Sequence, residues 1–347
     1  MLKEYISITK GRVKNMSKFK AIVLNQDGEN FTRDIKEIDK SFLKHGNVLV
    51  KIDFSSLNYK DGMILKNGGK LVKEYPHIPG IDFSGTVEES ESNNFKVGDK
   101  VILTGWRVGE IYYGGYSQYA KVQDSFLVKL PKDLDTKKAM ILGTAGLTAL
   151  MCVLIIQARE TILKGDPIKD VLVTGATGGV GSVAVLALSK LGYNVHAVTG
   201  KKDKSEFLKS IGASNIVDRS ELDQEARPLD KALYDGVVDT VGGKILAKAL
   251  SHTRPNGMVA ACGLASSYKL DTTVMPFIIR GIKLWGVDSV TAPTVRRQFL
   301  WSQATSYVDF DKLSKGVSIW GLKDLIDSSS KILKGEISGR VLIDVNK

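Results

Sequence analysis

The sequence predicts an α/β protein in two parts, a mostly-β domain followed by a doubly wound parallel-sheet domain, and three observations carry that expectation. From Phe19 to about Leu130, short alternating segments such as Val48-Leu49-Val50-Lys51-Ile52-Asp53 and Lys100-Val101-Ile102-Leu103 are broken by Gly, Asn and Pro, the pattern of antiparallel strands. From Asp170 onward, short β-rich runs alternate with helical stretches, as parallel strands joined by crossover helices do. The 347 residues, at roughly 150 per domain, make room for about two domains.

In chain order, Met16-Ser17-Lys18-Phe19 stands immediately before the apolar run Ala21-Ile22-Val23-Leu24. Residues 1–15 are therefore expected to be a disordered or non-native N-terminal extension, with Met16 the biological start. After Pro131 the texture turns helical, with closely spaced apolar residues over 136–142 and 145–156. Strands are expected at 171–173, 194–198, 215–217, 236–239, 258–262 and 283–287, with a helix over 182–191 behind the first; six strands suit a doubly wound sheet. Beyond Asp288 the chain turns helical again, then closes on a strand over 339–345 that returns to the first domain. The expected division is 16–140 with 289–347 for the β-rich domain, and 141–288 for the parallel sheet.

Hydrophobic residues are 43% of the chain and charged residues 25%, a globular balance that excludes disorder and a collagen-like class. No uninterrupted apolar run long enough to span a bilayer is apparent, and Lys, Arg and Glu stud residues 1–20, which argues against a signal peptide. A cytosolic protein without membrane contact is expected. Cys152 and Cys262 are too few for a disulfide framework or a thiolate metal site and read as small buried apolar groups. The net charge of +11 comes from scattered bases without a dense aromatic-interleaved tract. Phosphate-bearing small ligands suit it better than nucleic acid, although solubility alone explains much of it.

The strongest motif is Thr174-Gly175-Ala176-Thr177-Gly178-Gly179-Val180-Gly181, behind a strand and opening a helix. A small residue at Ala176 permits the tight turn, Gly178 lets backbone approach a diphosphate, and Gly181 lets helix pack on strand, while the helix N-terminus offers free N–H groups. Such a turn by itself is only a β-to-α connection; in the first βαβ unit of an alternating domain it points to a dinucleotide. NAD sites place Asp or Glu about 20 residues on, where this chain has Thr199-Gly200-Lys201-Lys202. No carboxylate there repels a 2′-phosphate, and a hydroxyl, an amide and ammonium groups are present to bind one. NADPH is the expected cofactor; the alternative is that both lysines are solvated loop charges.

Three segments carry a family resemblance: Ser55-Ser56-Leu57-Asn58-Tyr59-Lys60-Asp61, Ile78-Pro79-Gly80-Ile81-Asp82-Phe83-Ser84-Gly85-Thr86-Val87 and Val97-Gly98-Asp99-Lys100-Val101. They resemble the N-terminal signatures of medium-chain dehydrogenases/reductases, which implies a GroES-like catalytic domain beside a Rossmann domain. Zinc alcohol dehydrogenases of that superfamily carry Cys and His where this chain has Asn58 and Ile81, so no metal is expected. Without a Lewis acid, reduction of an activated C=C or a quinone is the expected chemistry.

The resemblance narrows to the acrylyl-CoA reductase (YhdH/AcuI) type through Leu103-Thr104-Gly105-Trp106 with Gly109-Glu110, Ala139-Met140-Ile141-Leu142-Gly143-Thr144-Ala145-Gly146, Val259-Ala260-Ala261-Cys262-Gly263-Leu264-Ala265 and Thr272-Thr273-Val274-Met275-Pro276-Phe277-Ile278. It implies NADPH contacts at Tyr59, Thr177, Gly178, Gly179, Val180, Thr199, Gly200, Lys201, Arg219, Leu264, Ile278, Ser289 and Arg340. It implies reduction of acryloyl-CoA to propanoyl-CoA, and a homodimer, through edge strands around 283–287. Tyr59 is the first candidate for orienting substrate, stabilising the enolate or delivering a proton, with Asn58 a supporting donor. Asp61 and Asp82 read as structural, and His77 as unassigned. The rivals are an NADPH:quinone oxidoreductase and a noncatalytic NADPH-binding sensor.

Overall fold

The computed structural model describes residues 18–162 and 167–347, so the extension expected at residues 1–15 and the start expected at Met16 lie outside the described residues. β1 (Phe19–Asp27) and β2 (Asn30–Ile38) form an antiparallel hairpin. Next come β3 (Val48–Ser56), α1 (Tyr59–Asn67), β4 (Asp82–Ser90), β5 (Lys100–Thr104), β6 (Tyr119–Val122) and β7 (Leu127–Lys129). Side chains two apart share one face of a strand. Val48, Val50 and Ile52 of β3 accordingly meet Phe83 and Val87 of β4 and Val101 and Leu103 of β5 in one buried cluster.

α2 (Thr136–Ile162) leaves this domain, and its helical geometry breaks at Gly143, at φ 54° and ψ −154°. That break separates the two helical stretches legible in the sequence. By length and composition Thr136–Thr161 could cross a membrane, which corrects the sequence reading; 89% of its most apolar window is buried inside the protein. A helix apolar on all sides is buried somewhere, and α2 is buried between the two sheets, against α3, β12, β3 and β4.

The alternating half supplies β8 (Asp170–Val173), α3 (Gly179–Lys190), β9 (Asn194–Thr199), α4 (Ser205–Ser210), β10 (Asn215–Asp218), α5 (Arg219–Leu222), β11 (Tyr234–Asp239), α6 (Gly243–Ser251), β12 (Thr253–Ala261), α7 (Met275–Arg280) and β13 (Lys283–Gly286). Among the described residues these strands form one parallel six-stranded sheet in the order β10-β9-β8-β11-β12-β13. The order reverses between β8 and β11, the place where such sheets open a ligand crevice beyond their C-terminal strand ends. β12 begins at Thr253, earlier than its apolar run suggests, because Thr253 pairs with Tyr234 before a register shift that leaves Arg254-Pro255-Asn256-Gly257 unpaired ahead of the Gly236–Met258 pair.

α8 (Thr294–Ser302), α9 (Ala304–Tyr307) and α10 (Phe310–Ser314) lie along α2 and α3. Their Leu300, Trp301, Ala304 and Leu313 are buried in the same cluster as Val171, Val173 and Leu186. The chain re-enters the first domain at β14 (Val317–Trp320), continues through α11 (Leu322–Ser328) and α12 (Ser330–Leu333), and ends on β15 (Arg340–Asp344). β15 pairs antiparallel with β3, completing the order β14-β15-β3-β4-β5-β7, with β6 also on β3.

Trp301 is among the largest fully buried side chains. Trp301→Ala is expected to cost about 3–5 kcal/mol in urea unfolding; a loss below about 1 kcal/mol would mean that α8 is not part of this core.

Candidate active site

The dinucleotide turn follows β8. Gly175 takes φ +58°, the left-handed conformation glycine adopts without strain, and Gly178 N donates to Gly175 O at 2.9 Å, closing the tight turn over Ala176 and Thr177 as expected. Gly178 caps α3 in extended geometry. A Cβ at Gly181 would collide with Gly175 O and lie 2.7 Å from Ala176 Cα, so helix and turn approach closely only because that residue is glycine. Residues outside the sequence motif fix the turn from the next strand. Thr174 Oγ1 donates to Asp239 Oδ1 at 2.7 Å, and Thr240 Oγ1 donates to Thr174 O at 2.9 Å. Burial pushes the Asp239 carboxyl up. The strand-ending Asp239-Thr240 pair was legible in the sequence as the close of an apolar run, but nothing there indicated its role.

β9 ends on the buried Thr199, whose Oγ1 accepts from Lys201 N at 3.0 Å. Arg219 lies against Gly200, its Cζ 3.5 Å from where a Cβ would stand. Lys201 Nζ donates to Ile337 O at 2.7 Å and Ser338 Oγ at 2.9 Å, and burial lowers its pKa. Lys202 is the solvated loop charge of the alternative reading, its side chain 86% exposed and its Nζ 3.4 Å from Asp218. Lys201 and Arg219 are thus the two cations that flank Thr199 and Gly200. The segment 337–340 then crosses the turn itself, with Gly339 N donating to Thr177 O at 2.7 Å.

Arg340 completes that crossing. The residue is 2% exposed, and its Nη1 lies 2.7 Å from where a Cβ of Gly179 would stand. Its Nε donates to Ile141 O at 2.9 Å and its Nη2 to Ser56 Oγ at 2.8 Å. A guanidinium at a helix N-terminus is an anion site twice over, by charge and by free N–H groups.

Tyr59 is the first residue of α1 and 41% exposed, whereas Asn58 is buried. Asn58 Nδ2 donates to Asp61 Oδ2 at 3.1 Å and Asp82 Oδ2 at 3.0 Å. Its hydrogens are therefore engaged, and what Asn58 offers a further group is Oδ1, which has no hydrogen-bond partner among the described residues. Lys60 pairs with the buried Glu110 at 2.7 Å. Ser289 Oγ accepts from Thr148 Oγ1 at 2.7 Å. The backbone there is held by the buried Arg297, which donates to Ser289 O and Val290 O at 2.8 Å and to Thr104 O at 2.6 Å. Burial lowers the Arg297 pKa to about 10, so it stays charged near neutral pH. Sequence reasoning missed Arg297, which sits in an ordinary helical stretch. Leu264 and Ile278 are 62% and 76% exposed, surface side chains and not core. His77 is buried against Gly109 O at 3.0 Å, with burial lowering its pKa. Cys152 is buried as expected; Cys262 is only half-buried and donates to Asp239 O at 3.4 Å, a correction.

Two family models match, an alcohol dehydrogenase GroES-like domain over residues 44–132 and a zinc-binding dehydrogenase over residues 179–303. The acrylyl-CoA reductase AcuI of Ruegeria pomeroyi is 45% identical over 94% of this chain and 99% of its own length. The chain belongs to the acrylyl-CoA reductase (YhdH/AcuI) family of medium-chain dehydrogenases/reductases. The solved YhdH oxidoreductase of Salmonella enterica, in complex with NADP, superposes with TM-score 0.90 at 42% identity, covering 94% of this chain and 100% of that one. Bacillus subtilis yhfP, solved with NAD bound, has TM-score 0.90 at 38% identity, covering 95% and 100%. Members of this fold thus hold either dinucleotide.

The Asp61 carboxyl is pushed up to about 7, chiefly by burial and then by Asp82. Its unfolded value is near 4. An acid raised on folding makes the native state bind the extra proton, so its contribution to stability falls as pH rises from about 4 through about 7. Asp61→Asn removes that slope: its melting temperature relative to wild type is expected to rise between pH 5 and pH 8, and a pH-independent difference would show that the carboxyl is not perturbed.

Proposed function

We propose that this protein reduces the activated C=C of a short enoyl-CoA with NADPH, most specifically acryloyl-CoA to propanoyl-CoA. The carrying observation is the 45% and 43% identity, over 94% of the chain in each case, to proteins named acrylyl-CoA reductase and probable acrylyl-CoA reductase. The residues present fit the cofactor. The Gly178–Gly179 backbone leaves a cradle that a side chain would fill, with Arg340 Nη1 at its edge, and a diphosphate satisfies both. Lys201, Arg219 and Thr199 surround the place where a 2′-phosphate would sit. When bound, NADPH supplies a hydride to the electron-poor β-carbon, and negative charge develops on the thioester oxygen.

The chain's own groups then have three tasks. The α3 N-terminus and Arg340 hold the diphosphate; Lys201 and Arg219 select the phosphorylated ribose; Tyr59, exposed at the start of α1, supplies an O–H that orients the thioester or meets the developing charge. We assign no metal to this reaction. At the two positions where zinc enzymes carry ligands, Ile81 has no donor atom and the Asn58 NH2 group is turned onto two carboxylates. The same reading includes a homodimer through the edge strand β13, beside the exposed Trp285, Ile278 and Ile279, and a cytosolic location, where both small molecules are soluble.

A quinone as acceptor is favoured by one observation, 40% identity over 94% of the chain to a putative quinone oxidoreductase, YhfP. NADPH oxidation measured side by side with acryloyl-CoA, crotonoyl-CoA and a soluble quinone separates the readings: acryloyl-CoA is expected to give the highest kcat/KM, and a faster quinone would overturn the assignment. Tight NADPH binding with no oxidation on any acceptor would mark a sensor. Arg219→Ala is expected to weaken NADPH by about 10–30-fold, the loss of one charge-assisted contact, while NADH binding stays within about twofold. Tyr59→Phe is expected to lower kcat at saturating acryloyl-CoA by about tenfold or more; an unchanged kcat would remove Tyr59 from the chemistry.

A further inference from the structure

Side chains from four elements, joined by a backbone N–H of α2, form one buried hydrogen-bonded unit. Asp82 of β4 accepts from Ser56 N at 3.0 Å, Ser56 Oγ at 2.8 Å, Asn58 Nδ2 at 3.0 Å and Thr144 N of α2 at 2.8 Å. Asp61 of α1 accepts from Asn58 N at 3.0 Å, Asn58 Nδ2 at 3.1 Å and Ile81 N at 3.0 Å. Arg340 of β15 donates to Ser56 Oγ, the same hydroxyl that donates to Asp82. Both carboxyls are 0% exposed. Two carboxylates facing one guanidinium out of water are costly to bury together, and a β-rich domain has no need of such a group merely to fold. Its two ends are informative. One end holds the start of α1, which carries Tyr59; the other places the Arg340 guanidinium at Gly179, at the start of α3.

We propose that Asp61 and Asp82 are positioning residues for the reduction, holding Tyr59 and Arg340 in register across the cleft and tying NADPH affinity to the charge of the carboxyl pair. The inference rests on the function proposed above. With a proton on Asp61, that carboxyl is neutral and the guanidinium presents its positive charge to the diphosphate. When Asp61 ionises, its buried negative charge offsets that of Arg340. The groups facing Asp61 are Asp82 from β4, Tyr116 from the segment before β6 and Arg340 from β15. Burial and Asp82 push Asp61 up to about 7, so the change falls in the physiological range. Binding an anion at Arg340 favours the protonated form, which makes NADPH affinity weaken as pH rises through that value. The 2′-phosphate of NADPH itself titrates near pH ~6 with the opposite sign, so wild type must be compared with a variant.

Calorimetric Kd for NADPH and steady-state kcat with acryloyl-CoA are to be measured from pH 6 to pH 8.5 for wild type, Asp61→Asn and Ser56→Ala. The ratio of wild-type to Asp61→Asn Kd is expected to rise about threefold or more across that range, and the wild-type kcat profile to lose a limb near pH 7 in the variant. Ser56→Ala, which keeps both carboxyls and is the smaller risk to folding, is expected to raise Kd about fivefold or more and to lower kcat. Parallel pH profiles for wild type and Asp61→Asn, or Ser56→Ala within twofold of wild type in both constants, would overturn the inference while leaving the proposed function intact. A wild-type protein that binds no NADPH or leaves acryloyl-CoA unreduced would overturn both.

Discussion

Burying the Arg340 guanidinium is the constraint on which the site depends. A charge taken out of water is tolerated only where every donor finds an acceptor and an opposite charge stands near. Two of the Arg340 donor groups find acceptors, Nε at Ile141 O from the first turns of α2 and Nη2 at Ser56 Oγ from β3, with Asp82 beyond, and Nη1 is left facing Gly179 at the start of α3. The break at Gly143 belongs to the same arrangement, since a Cβ there would crowd Ser56 Oγ and lie 2.8 Å from Asp82 Oδ2 and 2.9 Å from Arg340 Nη2. The helix must open at that point to let three polar groups meet, and it places Thr144 N on Asp82 as it does so.

The same residue explains why the chain returns from the parallel sheet to the first domain. β15 delivers Arg340 to the turn, and the residues just before it reach the adenosine end of the crevice, Lys201 being bonded to Ile337 and Ser338. The nucleotide edge is therefore built by both domains, with the glycine turn and β9 contributing backbone and the C-terminal strand contributing charge. Asp239 and Thr240 hold the turn from the side of the sheet where strand order reverses.

Much of this was legible in the sequence because it rests on local rules. Strand periodicity, the glycine turn and the missing acid after β9 need no knowledge of distant residues. The apolar runs of the parallel sheet located its six strands to within a residue or two at most ends. What was not legible is long-range. Arg297 reads as a helix residue until its carbonyl partners at Thr104, Ser289 and Val290 are seen. Asn58 reads as a donor aimed at substrate until Asp61 and Asp82 claim its hydrogens. The span 136–161 reads as two helical pieces, and only the packing of both sheets against it shows how a stretch so apolar is buried inside the protein.

Isotope transfer tests the account most directly. With NADPH deuterated at both C4 positions and acryloyl-CoA in ordinary water, the propanoyl-CoA formed should carry one deuterium on its β-carbon and a solvent-derived proton on its α-carbon. Deuterium at the α-carbon, or a product without the label, would contradict hydride delivery to the β-carbon from a dinucleotide held by these residues.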